Sequence, residues 1–283
     1  MAIMSPGEFC YFDSYQDAPD SQPEAIGGYL PLSKVYSFNP VPDTLSADKV
    51  QLVYGVQANL FTEYIPTPEH AEMMIYPRIL ALAEVAWSAP SVKNYDDFHV
   101  RALKEVEALK AEGYHPFELK NEIGNRPGAD QPVQHLAVGK KVAYGPDAAY
   151  YPGYSAGGDS ALVDGVIGGW TYGDRRWQGF IDKKRMDVTI DMEKETEIHS
   201  VGADFMQVCG PEVFMPSEVI ISVSNDGKEF TELKRMEHKV VKDDKVTFIN
   251  FGWEGNAKAR YIRYQASSGE FGGFLFTDEI VVK

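Results

Sequence analysis

The sequence predicts a multidomain chain of α/β plus all-β class, and three observations carry that prediction. Up to about residue 113, apolar runs of strand character alternate with stretches of helical periodicity. Between Tyr114 and Val133 the periodicity stops, and Gly124-Asn125-Arg126-Pro127-Gly128 supplies a cluster of chain breakers. Beyond it the chain consists of short β-branched and aromatic runs separated by turns.

In chain order, Ser5-Pro6-Gly7 reads as a turn and Phe9-Cys10-Tyr11-Phe12 as a buried strand ending at Asp13. From Ala18 to Asp48 the residues Pro19, Pro23, Pro31, Pro40, Pro42 and Gly27-Gly28 deny the chain a long regular element. So long a loop within a compact region is usually functional. Leu52 to Phe61 is an apolar run that reads as a strand covered on both faces. Thr67-Pro68-Glu69 combines an N-cap, a proline at the first helical position and an acidic first turn. Behind it Met73, Tyr76, Leu80, Ala83 and Trp87 recur at helical spacing. A second helix runs from about Asp96 to a stop at Gly113, with Phe98, Ala102, Val106 and Leu109 on one face.

In the second region, Val188–Asp191, Val219–Val223, Val246–Ile249, Tyr261–Tyr264 and Glu279–Val282 read as strands, and Asn225-Asp226-Gly227-Lys228 as a hairpin turn. An antiparallel sandwich closes so many short strands.

Composition excludes some functions. A formal charge of -15 repels a phosphate backbone, so nucleic acid and anionic membrane are not expected partners. No apolar run approaches the ~20 residues of a membrane span, and Met1–Met4 has neither the charged nor the apolar part of a signal peptide. Cys10 and Cys209 fall in different regions and read as buried thiols. The six histidines show no metal-ligand spacing, and no serine sits in a nucleophile elbow.

Tyr11-Phe12-Asp13, the run Gly55 to Glu63 (GVQANLFTE) and the run Tyr76 to Trp87 (YPRILALAEVAW) form three ordered blocks. Together they resemble the end of a family 20 glycoside hydrolase, a β-N-acetylhexosaminidase. The resemblance covers residues 1–117 and implies a partial (β/α)8 TIM barrel, its last two βα units. Such a fold takes ~250 residues in full, and its active site lies at the C-terminal ends of the strands. The family works by substrate assistance, in which the sugar's acetamido oxygen attacks the anomeric carbon. By resemblance Tyr11 donates to that oxygen, Asp13 and Glu63 accept from sugar hydroxyls, and Phe61 forms an aromatic floor where the family most often carries Trp. The family's Asp-Glu pair, which supplies the general acid, has no counterpart before residue 117. Asp278-Glu279 lies in the other region and is a decoy for it.

After a linker at 118–133, residues 134–283 resemble a discoidin-like (factor 5/8 C-type) β-sandwich of the kind appended to glycosidases. The carriers are Ala161 to Gly165 (ALVDG), Trp177 to Phe180 (WQGF), Thr189-Ile190-Asp191, Ser222 to Phe230 (SVSNDGKEF) and Ala259 to Arg263 (ARYIR). This resemblance implies a structural Ca2+ at Asp164 and Glu279, although a turn Asp and an exposed Glu explain the two residues equally well. Tyr150, Tyr151, Tyr154, Trp170, Tyr172 and Phe271 are candidates for stacking on sugars, whereas Trp177 and Phe180 read as packing residues.

The leading expectation is the C-terminal piece of an exo-acting β-N-acetylhexosaminidase, inactive alone and needing no catalytic cofactor. Its partners would be N-acetylhexosamine-containing glycans, its parent secreted or periplasmic, and its incomplete barrel prone to self-association. The alternative is a non-catalytic carbohydrate-binding or interaction module.

Overall fold

In the computed structural model, which describes residues 1–146, 148–181 and 186–283, the chain divides into two units, Met1–Gly124 and Asn125–Lys283. The first holds two short parallel strands, β1 (Ala2–Met4) and β2 (Val53–Val56), with Ile3 opposite Gly55 and Met4 opposite Val56. Six helices accompany them: α1 (Gly7–Cys10), α2 (Leu32–Ser37), α3 (Ala47–Val50), α4 (Pro68–Ile75), α5 (Arg78–Trp87) and α6 (Tyr95–Ala111). Two strands and these helices make no barrel wall among the described residues.

The strand expected at Phe9–Phe12 is absent. Pro6 nucleates a helical turn instead, its carbonyl accepting from the Phe9 and Cys10 amides at 3.0 and 2.9 Å. The expected double coverage of Leu52–Phe61 is also overturned. Only Val53–Val56 is strand, it pairs with β1 alone, and Tyr54 within it stands 75% exposed. The single helix expected from Pro68 to Trp87 is two, because Pro77 brings no N–H to continue the ladder. Its start is as the local chemistry dictates: Thr67 Oγ1 accepts from the His70 amide at 3.2 Å. Asn94 caps α6 likewise, accepting from the Asp97 amide. Phe98, Ala102 and Val106 then enter the core beside Val35, Leu82 and Val85.

The proline-rich stretch contributes to that core, since α2 buries Leu32, Val35 and Tyr36. Asp17 is fully buried and accepts from the amides of Ile123 and Gly124 at 2.8 Å, tying the end of the unit to its beginning.

The second unit is an antiparallel β-sandwich built on two 22-residue strands, β5 (Met186–Gln207) and β8 (Thr247–Ser268). They pair along their length with bulges between Asp191 and Thr196 and between Ile198 and Ser200. Above the bulges, β5 is flanked by β3 (Lys141–Tyr144), and β8 by the hairpin of β6 (Pro216–Ser224) and β7 (Thr231–Glu237). Below them, β5 also pairs with β9 (Phe274–Val282), which carries β4 (Gln178–Ile181) on its other side. Val188, Ile190, Phe205, Ile262 and Ile280 fill the interior at under 1% exposure. The β6–β7 turn falls at Asn225-Asp226-Gly227, where Gly227 takes φ +71° and Asp226 Oδ1 accepts from the Lys228 and Glu229 amides.

Candidate functional site

Tyr11 and Phe61 are brought together by main-chain pairing. Tyr11 bridges Asn59 in parallel, with Phe12 N donating to Asn59 O and Asn59 N to Cys10 O at 2.8 Å each. Two residues beyond Asn59, the Phe61 ring lies 5.7 Å from the Tyr11 ring at 46°. Phe61 is 55% exposed, so the pair presents an aromatic surface to solvent. Glu63 follows in the loop after β2 and is exposed. Asp13 is 6% exposed, and its Oδ1 is buried with no hydrogen-bond partner among the described residues.

What fixes this loop is Arg78, which sequence reasoning quoted but gave no role. The guanidinium is fully buried and gives all its N–H groups to main-chain carbonyls: Phe12, Ser14, Leu30 and, twice, Met74. It also lies 4.9 Å from the Phe12 ring centroid. Burial holds its pKa below the usual arginine range, and the charge of Asp13 works against that.

In the second unit, Asp278 and Glu279 are each 1% exposed and committed to structure. Asp278 Oδ2 accepts from Arg126 Nη1 at 2.7 Å. Arg126 also binds Asp204 and the Gly168 carbonyl, and its guanidinium lies 4.8 and 4.9 Å from the Trp177 and Phe248 rings. Burial raises the Asp278 carboxyl to about 6 against the pull of Arg126. Glu279 Oε1 meets His135 Nε2 at 2.7 Å and accepts from the Gly165 amide at 2.8 Å, while Oε2 is buried with no hydrogen-bond partner among the described residues. The exposed Glu expected at 279 is therefore a buried one. Asp164 is exposed, and its Oδ1 accepts from the Val166 amide. No group of three or more His, Cys, Asp or Glu side chains suited to a metal occurs among the described residues. Any hard cation beside Glu279 Oε2 would draw most of its ligands from carbonyls.

Residues 1–90 match the catalytic domain of glycosyl hydrolase family 20, and residues 147–280 match the F5/8 type C domain. The chain joins a family 20 segment to an F5/8 type C domain.

Over 97 residues the family 20 segment is 48% identical to a beta-hexosaminidase of Porphyromonas gingivalis, covering 34% of this chain and 12% of that protein. A beta-N-acetylhexosaminidase of Cellulomonas fimi is 33% identical over 104 residues, 37% of this chain and 21% of that one. The chain thus spans 12% and 21% of these curated relatives. Among solved structures, the GH20 beta-N-acetylhexosaminidase from Streptomyces coelicolor A3(2) is similar at 27% identity, covering 41% of this chain and 23% of that chain, with a TM-score of 0.36.

In the F5/8 type C domain, Trp177 and Phe180 are core residues, each 1% exposed. Of the stacking candidates, Tyr154 meets Phe274 and Phe276 in T-shaped contacts and Tyr172 stacks on Phe276, with centroids 4.7 to 5.3 Å apart. Tyr150 packs on Tyr144 and donates to Asp159, and Trp170 packs on Phe248. Tyr151 and Phe271 are the exposed pair, at 44% and 37%. Cys10 is buried as expected, whereas Cys209 is only partly so, and both thiols are free.

Proposed function

We propose that this chain supplies the sugar-gripping half of a β-N-acetylhexosaminidase pocket, in a parent enzyme that removes terminal β-linked GlcNAc or GalNAc. The observation that carries the reading is the Tyr11–Phe61 ring pair, with Asp13, two residues from Tyr11, holding a buried oxygen that has no hydrogen-bond partner among the described residues. A buried carboxylate oxygen without a donor is costly, and a ligand hydroxyl is one group that satisfies it. Tyr11 would donate to the acetamido carbonyl oxygen, holding it in line with the anomeric carbon. Phe61 would stack beneath the ring, and Glu63, exposed in the free chain, would accept from the more distant hydroxyls. Protonation of the leaving oxygen needs an acid with a raised pKa. Asp278 is raised to about 6, but it is sealed in the sandwich by Arg126 and out of reach of solvent. The proton donor therefore belongs to a barrel segment outside these residues, and the chain alone hydrolyses nothing.

Two subsidiary proposals follow. The open edge of β2, with Leu52 and Tyr54 exposed, pairs with the rest of the barrel or, lacking it, with another copy. Calcium bound by Glu279 and Asp164 would steady the F5/8 type C domain, and added Ca2+ would then raise its melting temperature. A secreted or periplasmic parent, acting on external glycans, fits both.

The test is hydrolysis of an aryl β-GlcNAc by this chain and by the same chain joined to the upstream part of its barrel. The proposal expects turnover only from the joined protein. Turnover by this chain alone would refute the missing-acid account, and inactivity of the folded joined protein would refute the activity assigned.

A further inference from the structure

Residues 119–124 lie beyond the family 20 match, which ends at residue 90, and yet they hold the loop that follows Asp13. Leu119, 2% exposed, anchors the segment in the core of the first unit. Two successive amides then meet one carboxylate: Ile123 N donates to Asp17 Oδ2 and Gly124 N to Asp17 Oδ1, at 2.8 Å each. Asp17 is fully buried and lies in the same loop as Asp13. Between the two the chain has little slack. Ser14 O accepts from Arg78, Tyr15 O accepts from the Leu30 amide, and Gln16 Nε2 donates to Met73 O at 2.7 Å. Without the Ile123 and Gly124 amides, Asp17 would be a buried carboxylate short of donors. It would have to move to reach water, drawing the loop with it.

Glu122, just ahead of those amides, is partly buried. Burial first, and then the charge of Asp17, raise its carboxyl from 4.5 to about 7. Two groups of α6 face it. His99 Nε2 stands 3.9 Å from Glu122 Oε2, at the limit of an ion pair, and opposes release only when protonated. Tyr95, pushed up to about 12 by burial and then by the Glu122 charge, stays neutral. Lys120, close by in the chain, turns to Glu107 and Glu118 at 3.8 and 3.7 Å instead. Ionised Glu122 is thus a second negative charge against Asp17, and no lysine or arginine among the described residues pairs with it. Between its two pKa values the closed strap keeps a proton that the released one gives up. Closure is therefore firmest below about 4.5 and weakens as pH climbs to about 7.

We propose that residues 119–124 are a proton-controlled strap on the loop of Tyr11 and Asp13: protonated Glu122 keeps the strap closed and the loop in place, and ionised Glu122 loosens both. For its consequence, a sugar grip that weakens as pH rises, this rests on the role proposed above for Tyr11 and Asp13.

The test is hydrogen exchange of the full chain, read by mass spectrometry in peptides spanning 9–17 and 119–124 and corrected for the intrinsic pH dependence of exchange. From about pH 5 to about pH 8 the wild-type strap should lose about tenfold in protection, with a parallel loss in 9–17. Glu122→Gln, which keeps the shape and removes the charge, should hold both peptides flat, while His99→Asn should keep the wild-type dependence. Asp17→Asn, left with one acceptor atom, should weaken both at every pH. Loss in 119–124 with 9–17 unmoved would overturn the proposal, as would a flat wild type or a dependence that survives Glu122→Gln. No sugar enters these readouts, so an inactive joined enzyme would sink the sugar reading and leave the strap standing.

Discussion

Arg78 donates to the carbonyls of Phe12 and Ser14, the two residues that flank Asp13, and the Asp13 charge is what favours its ionised form in a fully buried position. The loop that carries Tyr11 and Asp13 is therefore held from below by one guanidinium. Arg78→Met leaves buried carbonyls without donors, at ~1–3 kcal/mol for each such group that water does not reach. Arg78→Lys has too few N–H groups, and no planar fork, to replace the bonds. We expect either variant to lower the urea midpoint of the first unit by the equivalent of about 3 kcal/mol or more, read by circular dichroism of α4–α6. A loss below about 1 kcal/mol in both would show that the clamp is dispensable.

That clamp was not legible in the sequence, because an arginine in a helix ordinarily reads as surface and its burial is set by carbonyls distant in the chain. The same holds for Arg126, which lies in the stretch read as linker but is buried among Asp278, Asp204 and Trp177. Local chemistry was legible: the Thr67 and Asn94 caps, the Gly227 turn and the apolar stripe of α6 all act within a few residues of themselves. Phe9–Phe12 failed because four apolar residues carry no period, and the proline that starts a helical turn through Cys10 lies just upstream. The two 22-residue strands read as separate short runs because bulges interrupt their alternation. The Tyr11–Phe61 pairing came from family resemblance alone, since nothing local tells residue 11 that it will meet residue 61.

Removing Arg126 should expose the cost of a buried carboxylate. Arg126→Met leaves Asp278, 1% exposed, without its cation, and a broken buried pair costs ~3–5 kcal/mol. Asp278→Asn in the same chain should recover much of that loss, since the orphaned charge is then gone. Thermal melts of the two single variants and the double variant measure the coupling. Simple additivity would contradict it.

Glu122 should make the first unit less stable as pH rises. Burial, and secondarily the charge of Asp17, raise its carboxyl from 4.5 to about 7. Between those two values the folded state holds a proton that the unfolded state has released, so stability is greatest below about 4.5 and falls as pH climbs to about 7. Glu122→Gln should flatten that slope, and denaturation midpoints across this window would show it. An unchanged slope would mean that solvent screens the group.

The central claim is that Tyr11 belongs to a sugar-gripping half-pocket. Its most direct test is kcat for an aryl β-GlcNAc in the chain joined to its upstream barrel, compared with the Tyr11→Phe variant of that protein. The account predicts a fall of about 100-fold or more in kcat at unchanged thermal stability, the scale of losing one positioned donor in the transition state. Turnover undiminished by Tyr11→Phe would contradict it.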